Sequence, residues 1–219
     1  MYDNNEELIN TYLVIRDRLG ELIELLAFHK KNHDKEYYYR IRNLDRTQAR
    51  LSDVERAART VYLNKTCYNG LYRVNSKGQF NVPMGGYKNP KILYRGVLEA
   101  ASLALQNAWV EVKDFREVVD LAQPGDLVYF DPPYDPVSKT ASFTSYTADS
   151  FGDQDQHDLA SAFSRLTERG CLCMLSNSYT PFIVDLYYEF RIEIVYARRA
   201  VNSDANGRGA IKEVVVLNY

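Results

Sequence analysis

The sequence predicts an α/β fold: a mostly parallel sheet with helices on its faces, a C-terminal β-hairpin, and a mostly helical region ahead of it. Three observations carry this. Residues 4–107 repeat apolar side chains at helical spacing and show almost no strand pattern. From residue 108 onward, strand-like runs alternate with helical ones. The final runs, "RIEIVYARR" and "AIKEVVVLNY", flank the polar loop "AVNSDANGRG", which is a hairpin pattern.

The elements follow in order. Asn4 with Glu7 reads as a capping box, and Leu8, Ile9, Tyr12, Leu13, Leu19, Leu22, Ile23 and Leu26 carry a helix to about Lys31, with Gly20 as its point of division. Ser52 with Glu55 caps a second helix, "VERAARTVYLN". A Gly/Asn/Pro-rich segment at 68–90 reads as loop, with a tight turn at Asn75-Ser76-Lys77-Gly78, and a third helix spans about Lys91–Asn107. "AWVEVKDF" alternates as a strand ending at Asp114; a short helix and the turn Gln123-Pro124-Gly125-Asp126 then lead into "LVYF". A helix from about Gln154 to Arg169, capped by Asp153 and stopped by Gly170, precedes the buried strand "CLCMLSNS". Pro181 opens the last helix.

Composition is that of an ordinary globular chain of 219 residues, 46% apolar and 26% charged. No apolar run approaches the roughly 18 residues that span a bilayer, and no basic-then-apolar leader opens the chain, so the expectation is a cytoplasmic protein without a membrane partner. Cys67, Cys171 and Cys173 are an odd set without metal-site spacing; Cys171 and Cys173 read as core thiols in a reducing compartment. His29 and His33 sit in a charged tail with no acid or cysteine to complete a metal set, so both are expected to be solvated. No metal is expected.

Net charge is −2, but the charge is unevenly placed. Residues 63–95 carry Lys65, Arg73, Lys77, Lys88, Lys91 and Arg95 and no acid, interleaved with Tyr68, Tyr72, Phe80, Tyr87 and Tyr94. Cations neutralise phosphates and aromatic faces stack on unpaired bases, so this window suits a nucleic-acid surface. The bland alternative is a solvated loop with core tyrosines.

The stretch "VYFDPPYD", 128–135, runs three strand formers into an acid, two prolines and a tyrosine. Proline cannot donate to a strand ladder, so the pair ends the strand and delivers Asp131 to its tip, with Tyr134 on a stiff hinge beyond. In α/β sheets ligands bind beyond the carboxyl ends of strands. Asp114, Asp131 and Ser176-Asn177 all fall at such ends.

Taken together, "YDNNEELINTY" at 2–12, "NGLYRVNSKGQFNVPMGGYKNP" at 69–90, "KDF" at 113–115, "DPPY" at 131–134, "FTSYT" at 143–147 and "LSNS" at 175–178 resemble the Dam-like D12 class of N6-adenine-specific DNA methyltransferases. The resemblance covers nearly the whole chain. It implies a Rossmann-like sheet, S-adenosyl-L-methionine as cofactor without a metal, and double-stranded DNA as partner, with membership of a restriction-modification system as one setting. It divides the chain into the end of a second sheet strand at 1–5, a helical target-recognition region at 6–107 holding the basic loop 63–95, and a catalytic α/β region at 108–219. It assigns catalysis to Asp131, Pro132, Pro133 and Tyr134, cofactor binding to Asp3, Asp114, Phe115 and Asp131, and DNA contact to Asn69, Arg73, Asn75, Lys77, Lys88, Phe143 and Tyr146.

One part of the family pattern has no counterpart here. The lysine-containing segment, first strand and F-x-G-x-G turn that approach the cofactor's methionine part do not precede Asp3, and Gly85-Gly86 lies in the basic loop. The expectation is a fragment, or a split enzyme whose companion chain supplies the glycine turn. A non-catalytic DNA-binding remnant is the alternative reading. Glutamine-directed relatives usually carry Asn where this chain has Asp131, and cytosine N4 transfer prefers Ser there, so adenine is the expected target.

Overall fold

The computed structural model describes residues 1–47, 50–137, 151–198 and 210–219. Described residues up to Asp114 form one compact unit, and those from Phe115 onward form a second. The architecture is a mixed α/β one, with both parallel and antiparallel pairing.

In the first unit, β1 (Tyr2–Asp3) and β2 (Glu111–Val112) pair in parallel. Five helices surround them: α1 (Glu6–Asp17), α2 (Leu19–Lys31), α3 (Lys35–Arg42), α4 (Asp53–Thr66) and α5 (Arg95–Leu105). Their apolar stripes meet in one core containing Leu22, Leu26, Tyr38, Ala57, Tyr62 and Leu63. Burial of each large side chain there contributes about 1.5–3 kcal/mol. The predicted capping box at Ser52 forms in full, with Ser52 N–H donating to Glu55 Oε2 at 2.8 Å.

Three local expectations are corrected. The cap of α1 is Asn5, not Asn4; its Oδ1 accepts from Leu8 N–H at 3.1 Å. The long helix divides at Arg18, not Gly20, because Arg18 leaves helical geometry (φ −136°, ψ 36°) while its guanidinium pairs with Glu21 in the first turn of α2 at 2.6 Å. His29 is not solvated. It is 8% exposed, stacks on Tyr62 with centroids 4.9 Å apart, and its Nδ1 lies 2.6 Å from the Tyr37 hydroxyl. Tyrosines from α3 and α4 enclose it, a tertiary effect that a local charge pattern does not carry.

In the second unit the strand order is β3 (Leu127–Phe130), β4 (Leu172–Ser178), β6 (Ala210–Leu217) and β5 (Arg191–Arg198). β3 and β4 are parallel, while β6 runs antiparallel to both β4 and β5, giving the expected terminal hairpin. Three helices accompany this sheet: α6 (Phe115–Leu121), α7 (Asp153–Glu168) and α8 (Pro181–Leu186). Alternation along β3 and β4 sends Phe130, Cys173, Leu175 and Asn177 into the face that packs on α7, together with Leu159, Phe163 and Leu166. On the other face Leu127 and Tyr129 are 61% and 56% exposed. The cap of α7 is Gly152, whose N–H donates to Asp155 at 2.9 Å, rather than Asp153. Gly170 takes the left-handed conformation (φ 86°) that ends this helix, as expected.

No helix among the described residues is long and apolar enough to cross a membrane. All three cysteines are buried free thiols, and burial pushes Cys67 and Cys173 up to about 11.

Candidate active site

The second unit carries the Asp-Pro-Pro-Tyr segment on the tip of β3. Four residues of parallel register, from Leu127 opposite Leu172 to Phe130 opposite Leu175, bring Asp131 alongside Ser176. Ser176 Oγ donates to Asp131 Oδ1 at 2.9 Å. The Tyr129 hydroxyl, on the same face, lies 3.0 Å from Ser176 Oγ. With the serine proton given to the carboxylate, Tyr129 is the donor in that second bond.

Residues 132–137 have no regular structure, and side chains of α7, β4 and the cap of α8 hold them. Gln156 Nε2 donates to the Pro133 carbonyl at 3.0 Å. Asp135 N–H donates to Asn177 Oδ1 at 2.9 Å, and Thr180 Oγ1 donates to Asp135 Oδ2 at 2.6 Å. Among the described residues, no donor is paired with the Pro132 carbonyl. Tyr134 is half-buried, and desolvation raises its hydroxyl above the ordinary tyrosine value. Both Pro132 and Pro133 are trans. Asp131 itself is solvent-exposed. The arrangement offers a carboxylate and a backbone carbonyl as acceptors beside an aromatic ring.

The first unit brings together two of the sequence-predicted acids. Because β1 and β2 are parallel, Asp3 ends one strand and Asp114 follows the other at the same, carboxyl, end. Asp3 Oδ1 accepts from Asn5 N–H at 2.7 Å, which fixes the carboxylate against the start of α1. Lys113 N–H donates to the Asp3 carbonyl at 3.1 Å, continuing the ladder toward Asp114. Phe115 opens α6 in the second unit, where its ring lies 5.8 Å from that of Phe151 and Arg116 sits over it at 4.4 Å.

The basic segment is built more firmly than a surface loop. Val74 bridges Phe80 in antiparallel fashion around the turn at 75–78, where Gly78 takes φ 72°. Asn75 Oδ1 accepts from both Lys77 N–H and Gln79 N–H at 3.0 Å. Arg73 Nε donates to Asn81 Oδ1 at 2.7 Å. Asp45 Oδ2 then receives Phe80 N–H at 2.9 Å and Arg59 Nη2 at 2.7 Å, while Tyr38 donates to the Val82 carbonyl at 3.0 Å. These bonds staple the turn to α3 and α4. Asn69 is exposed and takes the left-handed conformation (φ 55°), which asparagine tolerates better than most residues. A Cβ on Gly85 would lie 2.7 Å from the Cys67 carbonyl, so only glycine fits beside that strand-like bridge.

The segment's groups separate by exposure. Lys77 and Lys88 are exposed, as are Tyr68, Tyr87 and Tyr94. Phe80 is buried, and Tyr72 packs on it edge-on at 5.8 Å, so these two rings belong to the core. Phe143 and Tyr146 lie outside the described residues. Gln156, Asn177, Asp45 and Arg59 were not singled out as functional residues by sequence reasoning; Asn177 alone had a signal, as part of a polar strand end. No group of three or more metal-ligating side chains occurs among the described residues.

Acid-bearing carboxyl ends of parallel strands are where α/β proteins place small-molecule sites. Comparison with known proteins gives the class. A family described as D12 class N6 adenine-specific DNA methyltransferase matches residues 1–201, and the chain belongs to that family. It is 46% identical over 221 residues to the Type II methyltransferase M1.LlaDCHI of Lactococcus lactis subsp. cremoris, covering 99% of this chain and 78% of that protein. It is 42% identical to the Type II methyltransferase M.MjaIII of Methanocaldococcus jannaschii, with the same two coverages, 99% and 78%. Against the DNA adenine methylase of Escherichia coli K12 it is 33% identical, over 98% of this chain and 77% of the other.

Proposed function

We propose that this chain transfers a methyl group from S-adenosyl-L-methionine to the N6 amine of an adenine flipped out of duplex DNA, on a Rossmann-like scaffold whose residues 6–107 recognise the target. The observation that carries the reading is the pairing at the tip of β3: an Asp131 carboxylate oriented by Ser176, next to a Pro132 carbonyl to which no described residue donates.

When bound, S-adenosyl-L-methionine supplies an electrophilic methyl group on a sulfonium. Asp3, with Oδ1 held by Asn5, would accept from the ribose hydroxyls through its other oxygen, and Asp114 and Phe115 are the residues that the family resemblance assigns to the adenine ring. Asp131 and the Pro132 carbonyl each accept a hydrogen bond from the target amine. Holding both protons would draw the nitrogen toward tetrahedral geometry and aim its lone pair at the methyl carbon. As the N–C bond forms the sulfonium S–C bond breaks, and the surplus amine proton would leave by way of Asp131 to solvent. Alignment of this kind and fixed acceptors supply the catalysis. Extruding the base costs a few kcal/mol, and stacking on Tyr134 offsets about 1–3 kcal/mol of it. Asn69, Lys77 and Lys88 project from the stapled basic segment to the DNA, with Arg73 and Asn75 shaping the turn that carries them.

The test is transfer of labelled methyl from S-adenosyl-L-methionine to adenine-containing duplex oligonucleotides, compared between wild type and Asp131→Ala. The expected result is label on N6 of adenine with wild type, none with the variant, and DNA affinity preserved. Turnover retained in Asp131→Ala would refute the role assigned to that carboxylate.

A further inference from the structure

We infer that Gln156 and Asn177 form an amide clamp that positions the Asp131–Tyr134 corner for transfer, making both positioning residues of the reaction; this rests on the functional reading above. The corner contains Pro132, Pro133 and, just beyond, Pro136, none of which has an N–H to donate. Ordinary strand pairing therefore cannot hold it. Two side-chain amides replace that pairing. Gln156 supplies the donor, from Nε2 to the Pro133 carbonyl at 3.0 Å. Asn177 supplies the acceptor, its Oδ1 taking Asp135 N–H at 2.9 Å. The two amides are joined to each other, Asn177 Nδ2 to Gln156 Oε1 at 3.2 Å.

Placement argues for function over filling. Gln156 is 3% exposed and Asn177 is 0% exposed, on the face of β4 that packs against α7. An apolar pair would fill that space without the desolvation penalty a primary amide carries. The clamp's effect falls on Pro132, which lies between two anchored neighbours: Asp131, held by Ser176, and Pro133, held by Gln156. Its carbonyl direction is thereby fixed. Tyr134 is enclosed likewise, between the Pro133 and Asp135 bonds.

The experiment measures kcat and both KM values for adenine methylation by wild type, Gln156→Glu and Gln156→Met, with Asp131→Ala and the exposed-site control Gln154→Ala alongside. A Glu side chain keeps the shape and the acceptor for Asn177, and as a carboxylate has no proton for Pro133; Met keeps the volume and removes both functions. The expected result is a kcat loss of about 100-fold in both Gln156 variants, as for a misplaced reacting group. Both KM values stay within about twofold when rates are read on the folded fraction below each variant's unfolding midpoint, and Gln154→Ala is unchanged. Should Gln156→Glu fail to fold, Gln156→Met decides. Wild-type kcat in the folded variants, or a loss that merely tracks the folded fraction, overturns the clamp alone. Absence of wild-type transfer, or transfer that survives Asp131→Ala, overturns the functional reading and the clamp with it.

Discussion

Ser176 donates its hydroxyl proton to Oδ1 of Asp131 at 2.9 Å, one step beyond the last registered pair of the β3–β4 ladder, Phe130 opposite Leu175. A parallel ladder has thus been used to aim a carboxylate. The bond occupies one oxygen; in the proposed reaction the other accepts from the target amine.

Removing that bond should therefore slow chemistry rather than binding. A hydrogen bond to a charged group is worth about 1.5–3 kcal/mol, so Ser176→Ala should lower the single-turnover methylation rate by roughly 10- to 100-fold. Ser176→Thr, which keeps the hydroxyl, should recover most of it. An Ala variant at full speed would mean that Asp131 is oriented by something else.

The basic segment makes a prediction of a different kind. Lys77, on the stapled turn, and Lys88, farther along the same segment, are both exposed, so each is available to a phosphate. Replacing both with Gln should weaken DNA binding and reduce the slope of log K against log salt by about 0.9 for each phosphate no longer neutralised. Fluorescence anisotropy across a salt series reads this directly, and an unaltered slope would move the recognition surface elsewhere.

Asp45 is the staple itself. Its carboxylate receives Phe80 N–H and the buried Arg59 guanidinium. Asp45→Ala leaves both without that partner and should destabilise the first unit by about 2–4 kcal/mol in urea unfolding. Asp45→Asn, which can still accept from Phe80, should cost less. Equal losses would show that the charge on Asp45, and not its capacity to accept from Phe80, carries the effect.

His29 predicts a pH dependence. Burial lowers its pKa from 6.5 to about 4, so between those values the unfolded chain binds a proton that the folded one refuses. Stability of the first unit should be flat above about pH 6.5 and decline as pH falls toward 4, by up to about 3 kcal/mol. His33 is shifted in the same direction by burial, so its contribution has the same sign. His29→Gln should flatten the decline without abolishing it. A variant with the wild-type pH profile in denaturant titrations would place the dependence on other groups.

Sequence reading reached what is written locally. The Ser52–Glu55 box, the turn at 75–78, the strand that delivers Asp131 and the terminal hairpin all rest on neighbours a few residues apart. It failed where distant residues decide. Gln156 looks like any polar residue on a charged helix; only the β3–β4 register and the packing of α7 reveal that it meets a proline carbonyl 23 positions earlier. His29 lies in a basic tail, and the tyrosines that bury it come from two other helices. Arg18 breaks its helix in place of Gly20, leaving helical geometry at φ −136° and ψ 36°, a position that no breaker residue marks in the sequence.

The clamp around Pro133 has one further property. Its partners are neutral amides and backbone groups, so neither protons nor counterions compete for them. In the proposed reading the lysine-bearing segment is the opposite, an ionic contact to DNA whose hold loosens as salt rises. A single titration of ionic strength therefore separates the two jobs of this protein: capture of DNA should fade while the rate constant of the captured complex stays level.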